Sequence, residues 1–497
     1  MVVFQRKTDY SPELSLDLAK HPTCKSLPSS SIPNAELLPC HVPSNAQPKC
    51  PQYGRLDTTP SPDISDAAAR DDLAWSIGQS MARLQSDNPK IPTWAAYNST
   101  VSPSKLPLTT VAMMPLLAAP AHDWSTMLTV LKQAQNITTV VLGEGHKTVI
   151  TFDLQLYEKA VKLRMHAAPA LDHLDFRLGE MHTVMAALRA LGSSIEDSGF
   201  DDTWVEARIY GSTTKQQILE GNHMKCALTA HSMTYSALCD SRVEAFLKAE
   251  KEESGADFPN VSHAAYTMNA SSQESKYSEF RKHHQEILKA METEKFREKI
   301  QDFDRTMEPQ RPLFKFVKEY MKFVAFILMF LRATKEGNWK LHLESLKALC
   351  KYFFAHDRLN YARMVPLYLA QTKLLESTDP DIHEEFMSGN FCVNKNDIPF
   401  CAIGPDHAIE HVNKTMKIRG GLKGLTQQPA AMARWFLIAP ELSRLATEAE
   451  AIVGLQMHSS TQHHDLSEAA INRYEENVKN LVDVFKANDP FANEKMN

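Results

Sequence analysis

Glycine is scarce in this sequence: 17 of its 497 residues are glycine, about half of the average usage of roughly 7%. Few glycines leave few tight turns, which favours a mostly helical protein. Long apolar runs are also missing. The longest, from Phe323 to Leu331, is far shorter than the roughly 18 apolar residues that cross a bilayer. We therefore expect a buried helix there and no contact with a membrane.

Charge and cysteine usage exclude few classes of protein. A net charge of −6 gives no overall basic surface, so contact with DNA would need a local basic patch. The eight cysteines include no C-x-x-C pair, and the first residues lack the apolar core of a secretory signal. We expect an intracellular protein with reduced thiols, nuclear if it acts on DNA.

The length predicts two or three structural units. Helical periodicity dominates, and strand patterns are few, so the predicted fold is mostly α with a small α/β core, possibly RNase H-like, interrupted by a long helical insertion. The predicted segments are a disordered tail rich in Pro and Ser (1–62), the first part of the core (63–195), the helical insertion (196–388), the second part of the core (389–455) and a C-terminal helix (456–497).

Acidic residues follow two of the predicted strands. The pattern predicts strands at 138–142, 148–152 and 171–178, with helices at 154–165 and 181–191. Asp153 therefore lies where a strand ends and a helix begins. Such a position suits a catalytic carboxylate at the edge of a sheet, and it equally suits the N-cap of a helix.

The segment from Pro405 to about Lys417 is predicted to be a helix, and it contains the sequence H-x-x-E-H. In a zinc site His407 and His411 would be ligands one turn apart, and Glu410 would activate a bound water. A third ligand has to come from farther along the chain, and few residues follow the motif. The zinc-dependent hydrolase is therefore the third of our hypotheses.

A second interpretation places Glu410 or Asp406 as the last carboxylate of an acidic cluster that binds Mg²⁺ for phosphoryl transfer. Asp153 would be the first acid and Asp175 or Glu180 the second. One feature opposes an RNase H fold, because Asp153 leads directly into a helix and not into an antiparallel meander. Basic residues that could contact a phosphate backbone are Lys414, Lys417, Arg419, Lys423, Arg358 and Arg363. The third interpretation is a capped amphipathic helix with solvated charges.

Several stretches resemble a multi-copy group of uncharacterised animal proteins, abundant in cnidarians and other invertebrates, that look mobile-element-derived and transposase-like. The resemblance covers roughly residues 65 to 450. It implies that Asp153, the turn from Gly179 to His182, the 358–363 segment, Asp406 and Glu410 are the positions to examine. The stretches are DDLAWSIGQSMARLQS, IPTWAAYN, TFDLQLYEKAVKL, RLGEMHTVMAALRALG, HDRLNYARMVPLYL and GNFCVNKNDIPFCAIGPDHAIEHVNK.

The leading hypothesis is a transposase-like or nuclease-like protein, active or inactive, that uses carboxylate-bound Mg²⁺ on nucleic acid. The alternative is a non-catalytic protein whose helical segment binds another protein, with no cofactor. In the first case the partner is DNA, and in the second it is a protein.

Overall fold

The computed structural model describes residues 2–6, 37–43, 58–86, 88–102, 106–113, 117, 119–167, 169–274, 276–395, 398–418, 438, 445, 448–449, 452, 463–487 and 490–491. The described chain is mostly helical. This confirms the expectation drawn from the small number of glycines. Its strands form two short sheets of two strands each.

The parallel sheet positions the candidate site. Strands β3 (Thr148–Phe152) and β4 (Leu174–Leu178) pair in parallel, with Phe152 opposite Leu178. Helix α4 (Leu154–Ala167) lies between them in sequence, which is the crossover that a parallel pair requires. Both strands therefore end at the same edge, where the Gly179 amide donates to the Phe152 carbonyl at 2.8 Å. The other sheet is antiparallel and pairs β1 (Val2–Arg6) with β2 (Thr109–Met113).

The described helices range from one turn in α6 to 31 residues in α8. Prolines occupy the first turn of α1, α9, α12 and α15, where the missing amide hydrogen costs nothing. The helices other than α4 are α1 (Pro62–Gln85), α2 (Trp94–Val101), α3 (Trp124–Leu142), α5 (Glu180–Ile195), α6 (Thr203–Glu206), α7 (Ser212–Leu219), α8 (Met224–Ser254), α9 (Pro259–Gln273), α10 (Phe280–Thr293), α11 (Phe296–Met307), α12 (Pro312–Glu336), α13 (Trp339–Ala355), α14 (Leu359–Thr378), α15 (Pro380–Met387), α16 (Pro405–Ile418) and α17 (Glu468–Lys486).

Helix α12 lies at the centre of the core. Its apolar run contributes Phe323, Ile327 and Phe330, each at most 2% exposed, and the helix packs against α5, α8 and α13. Burial on several sides explains why the run is apolar without being a membrane segment. Within the described residues, no helix is long and apolar enough to cross a bilayer.

Buried ion pairs connect the helices around this core. Arg83 of α1 donates to Asp240 of α8 at 2.9 Å and to Glu475 of α17 at 2.7 Å. All three side chains are at most 12% exposed. An arginine that contacts both acids fixes the relative positions of three helices, because each desolvated charge needs its partner.

The structure corrects three local predictions. Residues 138–142, predicted as a strand, form the last part of α3; Val140 there is 78% exposed and no sheet covers it. The Val2–Arg6 strand lies inside the segment predicted as a disordered tail. The sequence pattern at 391–403 predicts a short hairpin or strand; in the described residues of this segment one antiparallel bridge forms, Val393 with Ile403.

Candidate functional site

The candidate site forms where the parallel sheet ends and two helices begin. Glu180 and His182 lie in the first turn of α5, directly after β4, and Asp406 lies in the first turn of α16. Helix α16 packs against α5. The two helix starts therefore bring residues 180–182 and 406 together, although more than two hundred positions separate them in sequence.

Asp406 caps the N-terminus of α5. Its Oδ1 accepts from the Met181 amide and its Oδ2 from the His182 amide, both at 3.1 Å, and Oδ2 also lies 3.0 Å from Nδ1 of His182. The side chain is 6% exposed. Burial opposes its charge, but the hydrogen bonds from His182 and from the α5 backbone outweigh burial and lower the pKa of Asp406. Asp406 is therefore a carboxylate held at a helix N-terminus, where the helix dipole favours it.

Two glycines make room for this contact. A Cβ on Gly179 would lie 2.4 Å from Oδ2 of Asp406, and a Cβ on Gly404 would lie 2.8 Å from Oδ1 of Asp406 and from Oε2 of Glu180. Neither distance is tolerated between non-bonded atoms. The two positions therefore require glycine for close approach.

The charges of three acids act on His182. The hydrogen bond to Asp406 comes first among the effects that raise the pKa of His182, and the charges of Asp406, Asp153 and Glu410 act in the same direction. Asp153 caps α4, accepting from the Leu156 amide at 2.9 Å. Glu410 is exposed, one turn after Asp406. Of the predicted acids, Asp406 therefore contacts His182 directly, and Asp153 and Glu410 are near enough for their charges to affect its pKa.

A polar pocket of about 480 Å³ opens beside His182; we call it the His182 pocket. The start of α14 forms its opposite wall with Arg358, Asn360 and Tyr361, and Arg189 of α5 faces the same space. Burial, followed by the charges of Asp406 and Asp153, raises the pKa of Tyr361. Arg189 was not predicted as a site residue; it lies on the same helical face as His182, seven residues further on.

Glu180 faces away from the His182 pocket. It is 2% exposed, and its Oε1 pairs with the guanidinium of Arg177, which also donates to the Phe391 carbonyl. Burial raises the pKa of Glu180 to about 7, and the nearby charge of Asp406 adds to this effect while Arg177 opposes it. Aromatic rings of Trp339, Phe386 and Phe391 surround the Arg177 guanidinium within 5.6 Å.

Other predicted site residues lie elsewhere. Asp175 is the second residue of β4, about 13 Å along the strand from Gly179, and it lies 4.0 Å from the ammonium of Lys147. Arg363 pairs with Glu158 on an exposed surface, at 2.9 Å. Arg419 and Lys423 are outside the described residues, and for Lys414 and Lys417 the structure describes only the backbone of α16.

The histidines of the H-x-x-E-H motif lie side by side on α16, with ring centroids 4.6 Å apart. Burial, followed by the charge of His411, lowers the pKa of His407 to about 4. Among the described residues, one group of three potential metal ligands has its ligand atoms within 4.8 Å of one another: His463, His464 and Asp465. No acid or histidine of the 406–411 segment belongs to such a group.

Comparisons with known proteins identify the family of this chain but indicate no activity. The family model of a domain of unknown function, DUF8702, matches residues 93–496. No curated protein and no solved structure matches the chain.

Proposed function

We propose that this chain, which belongs to the DUF8702 family, holds a magnesium-dependent phosphoryl-transfer site of nuclease or transposase type that acts on nucleic acid. One observation supports this most directly: Asp406 contacts His182, on which the charges of Asp153 and Glu410 also act, beside a pocket that Arg189 and Arg358 line. Acids suit a hard cation, and guanidinium groups suit phosphate oxygens.

Asp153 and Glu410 are the proposed magnesium ligands. Their carboxylates fit the oxygen preference of Mg²⁺, and the cap hydrogen bond of Asp153 uses only Oδ1. A bound Mg²⁺ would lower the pKa of the attacking water and would stabilise the negative charge that develops on the leaving oxygen. The oxygens of Asp406 already accept N–H donors from α5. We therefore propose that Asp406 positions His182. Asp406 could bind the metal only if its hydrogen bonds to the α5 amides broke.

His182 is the proposed proton carrier. Its Nδ1 lies 3.0 Å from Asp406, and the ring is one-third exposed toward the pocket. A carboxylate that fixes the ring and favours its charged form prepares a histidine for general acid–base chemistry. At this site His182 would protonate the leaving oxygen or orient the attacking water.

Arg358 and an aromatic neighbour are the proposed contacts to nucleic acid. Arg358 lines the pocket and donates to Ser193 Oγ at 3.0 Å. Phe354, four residues earlier in the sequence and in the last turn of α13, is 75% exposed. A base can stack on an exposed ring while a guanidinium binds the adjoining phosphate. This pairing supports a nucleic acid over a small phosphate ester as substrate.

We retain an RNase H-like core split by an insertion as part of the proposal. Asp153 follows β3, and α16 supplies Glu410. Helices α6 to α15 lie between them in sequence. Together with the resemblance to mobile-element proteins, this favours a transposase ancestry.

A cleavage assay tests the proposal. Full-length protein is incubated with labelled single-stranded and duplex DNA, in Mg²⁺, in Mn²⁺ and in EDTA. We expect metal-dependent cleavage, reduced about 100-fold or more by Asp153→Asn or Glu410→Gln, the scale of losing a group that acts on the transition state. Glu376→Gln, an exposed acid of α14 outside the site, is the matched control and should leave the rate unchanged.

DNA binding is measured separately in the same variants. Arg358→Ala should weaken binding for all sequences and reduce the salt dependence by about one counterion. Binding with no cleavage by the wild type would support a DNA-binding protein without this catalysis. Neither binding nor cleavage would reject the proposed function.

The second candidate function, a protein-interaction module, rests on the exposed apolar pair at the α13–α14 turn. Phe354 and Leu359 are 75% and 64% exposed, and exposed apolar neighbours often mark protein contacts. The double variant Phe354→Ser with Leu359→Ser should then lose a protein partner in a pull-down while leaving DNA binding intact. Loss of DNA binding in this variant would support the nucleic-acid role.

A further inference from the structure

A second cavity lies on the other side of the start of α5. Its volume is about 580 Å³, within the range of small-molecule sites. Helices α5, α8, α12 and α17 and the segment 402–407 enclose it. We call it the apolar cavity because most of its wall is hydrocarbon, supplied by Met181, Val184, Leu228, Met233, Leu328 and Leu331.

One wall of the apolar cavity carries an unsatisfied buried acid. Glu180 lines the cavity and is 2% exposed. Arg177 bonds to its Oε1, whereas Oε2 has no hydrogen-bond partner among the described residues. A buried polar atom without a partner is destabilising. Glu180 therefore adds a buried acid to a wall that is mostly hydrocarbon.

A lysine faces the same cavity. Lys335, near the end of α12, lines it beside His407. Its ammonium lies 5.6 Å from the ring centroid of Phe400, and within the described part of the chain it forms no hydrogen bond or salt bridge. Burial lowers its pKa, while the charges of Cys401 and Asp465 oppose this effect. A lysine in apolar surroundings is stabilised by any anion that enters.

The remaining charges of the wall favour an anion as well. Lys225 and Arg473 add two cations, and Asp465 adds one acid, which pairs with His464 at 2.8 Å. A multiply charged ligand would leave charges in hydrocarbon, so a single negative charge fits best.

We propose that the apolar cavity binds an apolar monocarboxylate, such as a medium-chain fatty acid, with its carboxylate paired to Lys335. The hydrocarbon body lies against the methionine and leucine side chains of α5, α8 and α12. This site is separate from the His182 pocket, because Glu180 and His182 face different spaces.

Fluorescence titration with a dansyl-labelled fatty acid tests the proposal on the full-length protein. Decanoic acid should displace the probe, and methyl decanoate should do so at least about tenfold less well, because it lacks the charge that Lys335 binds. Lys335→Met should weaken probe binding by about tenfold or more. Lys373→Met, an exposed lysine of α14, should leave it unchanged.

Two substitutions fill the cavity without touching its charges. Leu331→Trp and Val184→Phe should each abolish probe binding while circular dichroism shows a folded protein. Equal affinity for acid and ester, or unchanged binding in Lys335→Met, would overturn the carboxylate assignment. Absence of probe binding by the wild type, or binding that persists in both filled variants, would overturn the site itself. Arg358→Ala should not affect the probe, so failure here is distinguishable from failure of the proposed nuclease function.

Discussion

Replacing Asp406 with asparagine tests the geometry of the candidate site most directly. The carboxylate accepts from two α5 amides and contacts Nδ1 of His182. Asparagine keeps the shape but presents an NH₂ group to at least one of these N–H donors. A lost cap costs about 1 kcal/mol, and an unsatisfied buried donor costs about 1–3 kcal/mol. We therefore expect Asp406→Asn to lower the free energy of unfolding by about 2–4 kcal/mol.

The loss should depend on pH in a defined way. The pKa of Asp406 is lowered, so its contribution is present above the unfolded value near 4 and is lost as pH falls through the folded pKa. The pKa of His182 is raised, so its contribution is present below about 6.5 and is lost as pH rises through the folded pKa. The penalty of Asp406→Asn should thus be largest between about pH 4 and 6.5. Above that window the penalty of Asp406→Asn should become smaller but not disappear, because the hydrogen bonds from the two α5 amides to Asp406 remain in the wild type.

Urea unfolding of wild type, Asp406→Asn, His182→Gln and the double variant measures these contributions. His182 is one-third exposed, so solvent screening should keep the effect of His182→Gln the smaller of the two. Glu410→Gln, on the same helix and exposed, is the matched control for stability. A penalty for Asp406→Asn that is no larger than that of the control, or that stays constant across the pH range, would refute the capping argument.

Three further outcomes follow from the structure. Gly179→Ala should lower the melting temperature by several degrees, because its Cβ would lie 2.4 Å from Asp406; Gly78→Ala, whose nearest contact is the Ile287 side chain at 3.3 Å, should lower it less. Arg177→Met should lower the free energy of unfolding by about 3–5 kcal/mol, because it leaves the Glu180 charge unpaired. Adding Glu180→Gln should recover part of this loss in urea unfolding. Purely additive effects in the double variant would contradict the pairing. Lys318→Met should lower the free energy of unfolding by about 1–3 kcal/mol, since the lysine donates to Asp304, which also pairs with Arg242; no change would show that Arg242 alone satisfies that acid.

The regular elements were largely predictable from the sequence because each has a clear period. The strand at 148–152 and the helices starting near 154, 181 and 405 are confirmed within a few residues. The end of α3 was not predicted, since its Thr-Thr-Val-Val-Leu run has strand propensity and the preceding helix extends through it. Here the continuing helix overrode local preference.

The site was predictable only in part, because its members meet through tertiary packing. Asp153 and Glu410 could be chosen as acids beside a strand end and a helix start, and the structure places both near His182. Asp175 was chosen on the same criterion, yet the strand register carries it to the opposite end of β4. Arg189 and Lys335 lie on ordinary amphipathic helices, and nothing in their local sequence distinguishes them from solvated charges.

The first turn of α5 divides two spaces of different chemistry. Successive residues of a helix are rotated by about 100°, so Glu180 and His182 necessarily face different directions. Glu180 faces the apolar cavity with its hydrocarbon wall and Lys335, whereas His182 faces the His182 pocket, which arginines and acids line. Asp406 accepts hydrogen bonds from the backbone amides of this turn. It is also close enough for its charge to raise the pKa of Glu180 and of His182. A change in the position of Asp406 must therefore alter proton affinity on both sides of α5. For this reason Asp406, and not the histidines of the H-x-x-E-H motif, is the residue of α16 on which both proposed sites depend.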